Sequence, residues 1–357
     1  METNPYKKLP SDAFWRSAVA QPESKNIRGL WKPKFEITKK MRIVTAGSCF
    51  AQHISAAFRT RGYNWYNAEP APGSAELAHS YHYGVFSFRT GNIYTTRMLD
   101  QWFRWAQSPQ DCPDVFWSDN GRVFDPFRPT IELDGFASVA EARASRRATL
   151  AAIADAMRKA DVFVYTLGLT ECWRDAETGV EYALCPGTVA GRFDPDLHIF
   201  HNMDYHDVMT DLNRALTSLR RVNKNVRVLL TVSPVPLTAT ASGQHVLTAS
   251  SLSKSTLRTV AGELCAREDY IDYFPSYEII THPVFGGKFY DANRRSVSAA
   301  GVDFVMRNFF DDLTGTKSHE TVPEPPEADE DENDVNNELI DLHCEEEMLA
   351  AFMNERD

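Results

Sequence analysis

What the sequence most plainly lacks is a long apolar run. No stretch approaches the roughly 18 consecutive apolar residues that a membrane-spanning helix needs. Residues 1–16 are polar with scattered charges and hold no apolar signal-peptide core, so the expected location is the cytoplasm, with no membrane partner. Cysteine is sparse: Cys49, Cys112, Cys172, Cys185, Cys265 and Cys344 are scattered, with no C-x-x-C pair. Such spacing fits reduced thiols better than a disulfide framework. No Walker or dinucleotide glycine pattern occurs, so no cofactor is expected, and there is no internal repeat. A charge bias is missing too, once the tail is set aside. Residues 318–357 hold fifteen acidic side chains against one arginine, and removing that −14 from the net −11 leaves about +3 on the rest. A body so balanced has no electrostatic footprint for nucleic acid.

What is present is ample apolar material, 43% of 357 residues, enough for one large domain or two ordinary ones. The chain is organised around residues 41–51, MRIVTAGSCFA. Ile43, Val44 and Thr45 are β-branched and bounded by charge before and Gly-Ser after, which predicts a short buried strand. Ile54, Ala57 and Phe58 then recur at helical spacing, and Gly62 suits a helix C-cap. Ser48 therefore stands at a strand-to-helix turn. An open α/β sheet places nucleophiles there, with backbone N–H groups nearby to hold an oxyanion. The same position also suits a serine that simply caps the helix.

Downstream, apolar runs at 161–167 (DVFVYTL) and 226–232 (VRVLLTV) predict strands buried on both faces, and 270–274 a shorter one. Helices are expected from a cap at Thr95 or Thr96, over 137–159, 205–221 and 248–267, and after Ser298. Strand and helix alternate, so the fold class is α/β, a mainly parallel sheet wrapped by helices. Residues 111–134 and 173–200 read as loop-rich insertions. Trp102 and Trp105, at helical spacing, read as core in preference to a sugar-stacking platform. His198, His201, Asp204 and His206 match no metal-ligand spacing and read as a polar helix start capped by Asp204 or Asn202. Cys49, at the helix start, reads as a small buried side chain.

The domain plan is an N-terminal arm over 1–39, lying on the body through Phe14, Trp15 and Trp31, a domain over 40–312, and an acidic tail over 313–357. The Pro-Glu-Asp-rich part at 320–334 is expected to be disordered. Leu339, Leu342, Met348, Leu349, Phe352 and Met353 recur at near-helical spacing and suggest a short acidic amphipathic helix. Its binding site would lie on the body or on a protein partner, and the alternative is a solvated tail without function.

Gly47-Ser48-Cys49-Phe50-Ala51 resembles the signature for which the GSCFA family, a branch of the SGNH/GDSL-like hydrolase group, is named. Thr166-Leu167-Gly168, residues 231–235, Ser253-Lys254 and residues 273–278 match in the expected order. The resemblance covers roughly residues 40–310. It implies a three-layer α/β/α sandwich with Ser48 as nucleophile. It also implies oxyanion donors at the Ser48 backbone N–H, Gly91 and Thr170, where the group usually has asparagine in the last position. The Asp-x-x-His that the group carries before its last helix aligns with Asn293-Arg294-Arg295-Ser296, so neither acid nor histidine is there. A serine nucleophile needs a base and a group to orient it. His245 and His282, in loops after strands, are the candidate bases, with His245 preferred, and Glu278 or Glu171 the candidate orienters. The implied activity is hydrolysis or transfer of a small acyl ester, acetyl on a saccharide, through an acyl-enzyme. The alternative is a catalytically degenerate module that binds a glycan or protein.

Overall fold

The computed structural model describes residues 4–73, 81–315 and 345–353. Strand β1 (Ile43–Gly47) leads directly into helix α1 (Phe50–Thr60), and helix α2 (Thr96–Gln107) follows, capped by the Thr95 hydroxyl. Next come the β2 (Trp117–Asp119) and β3 (Arg122–Phe124) hairpin, helix α3 (Val139–Lys159) and strand β4 (Val162–Leu167). Strands β5 (Glu171–Asp175), β6 (Glu181–Tyr182) and β7 (His198–Asn202) precede helix α4 (Tyr205–Val222). The chain continues through β8 (Arg227–Val232), α5 (Val246–Arg267), β9 (Ile271–Tyr273), α6 (Ser276–Thr281) and α7 (Ala299–Thr314).

The central sheet has the order β1-β4-β8-β9, all parallel, with Ile43 opposite Val162 and Val162 opposite Arg227. Side chains alternate across it. Val44, Phe163, Tyr165 and Leu230 face a layer built from α2, α3, α4 and α5, while Ile43, Val164 and Leu229 face α1 and α7. The architecture is the expected three-layer α/β/α sandwich. Both tryptophans of α2, Trp102 and Trp105, are buried in the first layer, as their spacing predicts. Of the arm's aromatics Trp31 joins the core, with Phe35 packed at its edge: the Trp31 ring lies 5.1 Å from Phe309, and its Nε1–H donates to Asp272 Oδ2 at 3.1 Å. Phe14 and Trp15 remain exposed.

The two insertions hold more structure than their composition suggests. The first forms the β2–β3 hairpin around Asn120 and Gly121, both at positive φ, the two-residue turn that matches strand twist. A buried ionic cluster pins it to α3. Asp125 accepts from Arg128 Nε at 2.9 Å and from Arg146 Nη2 at 2.7 Å. Burial alone would raise the Asp125 carboxyl, but the two guanidiniums outweigh it and hold it below the usual range. The second insertion forms an antiparallel sheet, β6-β5-β7. Residues 320–334, Leu339 and Leu342 lie outside the described residues. Glu345–Met353 forms a 3-10 helix. No helix among the described residues is long and apolar enough to cross a membrane.

Candidate active site

Gly47 ends β1 at φ +139°, and a Cβ there would lie 2.4 Å from the Thr166 carbonyl oxygen. Only glycine lets β1 approach β4 this closely before the chain turns. Ser48 follows, 1% exposed, with no hydrogen-bond partner for its Oγ. It does not cap α1; the residue before that helix is Cys49, which is buried. A buried hydroxyl without a partner costs stability, which marks Ser48 as a functional candidate. Gly168, at the end of β4, packs so close that a Cβ there would meet Ser48 Cβ at 3.0 Å.

The space beside Ser48 is about 10 Å³, roughly one water molecule. Cys49, Tyr94, Gly168, Leu169, Ser233, Val235, Leu237 and Lys254 line it with Ser48. Lys254 is 4% exposed and donates from Nζ to the Gly168 carbonyl at 2.5 Å. It projects from the buried face of α5, which also carries Ser253, Leu257 and Ala261. The sequence singled out Ser253-Lys254 only as a matching pair. Its chemical signal, a lysine within an otherwise small and apolar helix face, went unused.

Neither expected histidine is among the residues around this space. His245 is exposed and caps α5, its Nδ1 accepting from the Leu247 N–H at 3.2 Å. His282 starts a short 3-10 turn in the same way, accepting from the Val284 N–H at 3.2 Å, with its ring 5.7 Å from Trp15. Both imidazoles are thus local caps. Glu278 is ion-paired with Arg258 and accepts from the Tyr273 hydroxyl at 2.8 Å, so it orients no histidine. Glu171 accepts from Thr240 Oγ1 at 2.5 Å and from the Ala241 N–H at 3.2 Å. The expected oxyanion donors are likewise not assembled. The Ser48 N–H continues the sheet ladder to the Thr166 carbonyl at 3.0 Å. The Thr170 hydroxyl donates to Asn202 Oδ1 at 2.6 Å. Gly91 lies in the loop whose Ile93 N–H donates to the Gly47 carbonyl, but it does not line the Ser48 space.

A histidine the sequence reading passed over does sit nearby. His53, one turn into α1, is buried with Nε2 unpartnered, and burial lowers its imidazole to about 4. It lines a small cavity with Cys49, Val235, Arg295 and Ser296.

Next to Ser48, sharing Tyr94, Leu169 and Leu237 as walls, opens a cavity of about 550 Å³. That volume is typical of small-molecule sites. Trp173, Tyr182, Phe193 and Met98 give it an apolar lining, and Glu171 and Glu181 supply carboxyls. Glu181 Oε1 accepts from Thr95 Oγ1. The Cys172 thiol is a neighbour, but no hydrogen bond of ordinary geometry reaches Oε2. Burial pushes the Glu181 carboxyl up to about 7, and raises Glu171 as well. No sequence signal pointed to Glu181, since it comes from the second insertion.

The turn, the Gly168 contact and the 231–235 and 253–254 stretches all fall inside one continuous match: the GSCFA family model covers residues 42–309. The chain belongs to the GSCFA family. No curated protein matches it. The GSCFA signature is thus the strand-to-helix turn itself, with Gly47 and Ser48 doing different jobs: close packing for one, an unpartnered hydroxyl for the other. His201 Nε2 pairs with Asp207 at 2.7 Å, and Asp204 caps α4 within a capping box. Among the described residues no group of three or more His, Cys, Asp or Glu could hold a metal ion.

Proposed function

We propose that the chain is an SGNH-like acyl-ester hydrolase or acyltransferase with Ser48 as nucleophile and Lys254, in place of a histidine, as its base. The observation that supports this is the buried, unbonded Ser48 Oγ sharing one small space with the Lys254 amine. Serine–lysine pairs are a recurring variant of the serine triad. The amine is held at the Gly168 carbonyl by an N–H···O bond, and acting as general base it takes the serine proton. Oγ then bonds to the acyl carbon, the ester C–O bond breaks, and the alcohol leaves with the proton from Lys254. Water, or an acceptor hydroxyl, releases the acyl group by the reverse sequence. The narrow space beside Ser48 favours small acyl groups, and acetyl is the one the resemblance implies. The alcohol part, a saccharide by resemblance to the group, would occupy the 550 Å³ cavity against its aromatic walls.

The test is fluorophosphonate labelling and turnover of an acetyl ester by the wild-type chain, Ser48→Ala and Lys254→Met. Labelling at Ser48 that is lost in both variants is expected. A second reading, a degenerate module that binds without turnover, draws on the Ser48 N–H being engaged with Thr166. Folded wild-type protein that takes up no probe would favour it.

A further inference from the structure

We propose that the 550 Å³ cavity has a resident cover, the chain's own segment Glu345–Met353, which docks on the body and must leave before a ligand enters. Leu349 and Phe352, one 3-10 turn apart, both line the cavity. Two residues earlier, Glu347 accepts from Arg295 Nη1 at 3.0 Å, and it also lines the cavity that holds His53 and Ser296. The Arg295 side chain is 14% exposed and that of Glu347 57%, so the pair is anchored on the buried partner and open to solvent on the other. A single short segment therefore touches both cavities flanking Ser48: acid on Arg295, apolar side chains in the large cavity. Phe352 and Met348 stay partly exposed, so the segment covers the mouth without filling the interior. A cover held this way competes with any ligand by mass action.

The consequence for catalysis rests on the function proposed above; the docking does not. Its test is therefore thiol accessibility, which needs no turnover. Cys185 lines the covered cavity, and Cys265, on α5, does not. Both are partly exposed free thiols. The full chain and its Leu349→Asp, Phe352→Asp and Glu347→Lys variants are treated with N-ethylmaleimide, and labelling is followed site by site by mass spectrometry. Cys185 should react about tenfold faster in the two aspartate variants, the factor expected from half-burial of one such side chain. Cys265 should not change. A chain ending at residue 344 should show the same acceleration, and a synthetic peptide of residues 345–353 should slow it again. Equal Cys185 rates in all chains overturn the docking, as does acceleration of Cys185 and Cys265 together, which would mean general loosening. Absence of fluorophosphonate labelling in every chain, with Cys185 still accelerated, would sink the hydrolase reading and leave the docking standing.

Discussion

Replacing Glu181 by glutamine should change how stability depends on pH, and the structure fixes the sign. Glu181 is buried, and its folded-state carboxyl lies at about 7 against an ordinary 4.5. The folded protein therefore holds a proton there that the unfolded chain has lost between those values. The stabilisation is complete below pH 4.5 and disappears as pH rises through 7. A separation of about 2.5 units at 1.36 kcal/mol each comes to about 3 kcal/mol. His53 works in the opposite sense. Its imidazole, lowered to about 4 from 6.5, contributes stability above pH 6.5 that is lost as pH falls through 4, again about 3 kcal/mol. The two windows overlap between 4.5 and 6.5, so these two contributions should nearly cancel there. Urea melts at half-unit intervals from pH 4 to 8.5 are the assay. The stability of Glu181→Gln relative to wild type should climb with pH from 4.5 to 7 and then level off. That of His53→Gln should climb as pH falls from 6.5 to 4. Glu171, also raised by burial, adds a trend in the Glu181 direction, common to both chains and absent from the difference. A Glu181→Gln difference that stays constant with pH would refute the reasoning, because it would mean Glu181 titrates alike in both states.

Further outcomes follow from the same structure. Lys254→Met should lower kcat/KM on an acetyl ester by roughly 10³-fold or more, as loss of a base does, while His245→Ala and His282→Ala stay within about tenfold; steady-state kinetics on the four chains checks this. Gly47→Ala forces a Cβ onto the Thr166 backbone, which cannot give way, and should cost more than the 1–3 kcal/mol, approximately, of ordinary overpacking, read by chemical denaturation. Asp125→Ala strands two buried guanidiniums and should cost about 3–5 kcal/mol by the same measurement.

The layers of the fold were legible because they rest on periodicity. Residues 161–167 and 226–232 are uniformly apolar, and that is what a strand covered on both faces requires. The caps at Thr95, Asp204 and Ser298 were legible for the same local reason. The Asn120-Gly121 hairpin was equally written in the chain, but its strands are only three residues long and too short to show alternation. At the site, Ser48 was legible from its turn. Its surroundings were not, because they depend on which loops the sheet order brings to the end of β1. His245 looked central in a loop after β8, yet a histidine two residues before a helix's free N–H groups is drawn into capping them. Lys254 was hidden because a helix face reveals what is buried, not what it is buried against. Glu181 could not be read at all, since the insertion that carries it reaches the cavity only through the fold of a separate small sheet.

The pairing of β1 with β4 joins residues some 119 positions apart, as in the Arg42–Asp161 contact just before the two strands. On a ribosome adding 5–20 residues each second, β1 would wait roughly 6 to 24 s for β4, its neighbour in the central sheet, to be made. The walls around Ser48 come later still, with Gly168, then Ser233, then Lys254. The GSCFA turn is synthesised well before the segments that enclose it. In the interval β1 can pair along its other edge, where Ile43 bonds the backbone of Asn64 and Tyr66, while the edge that β4 will take stays open, and the protein's yield in a cell should depend on chaperones that shield that edge.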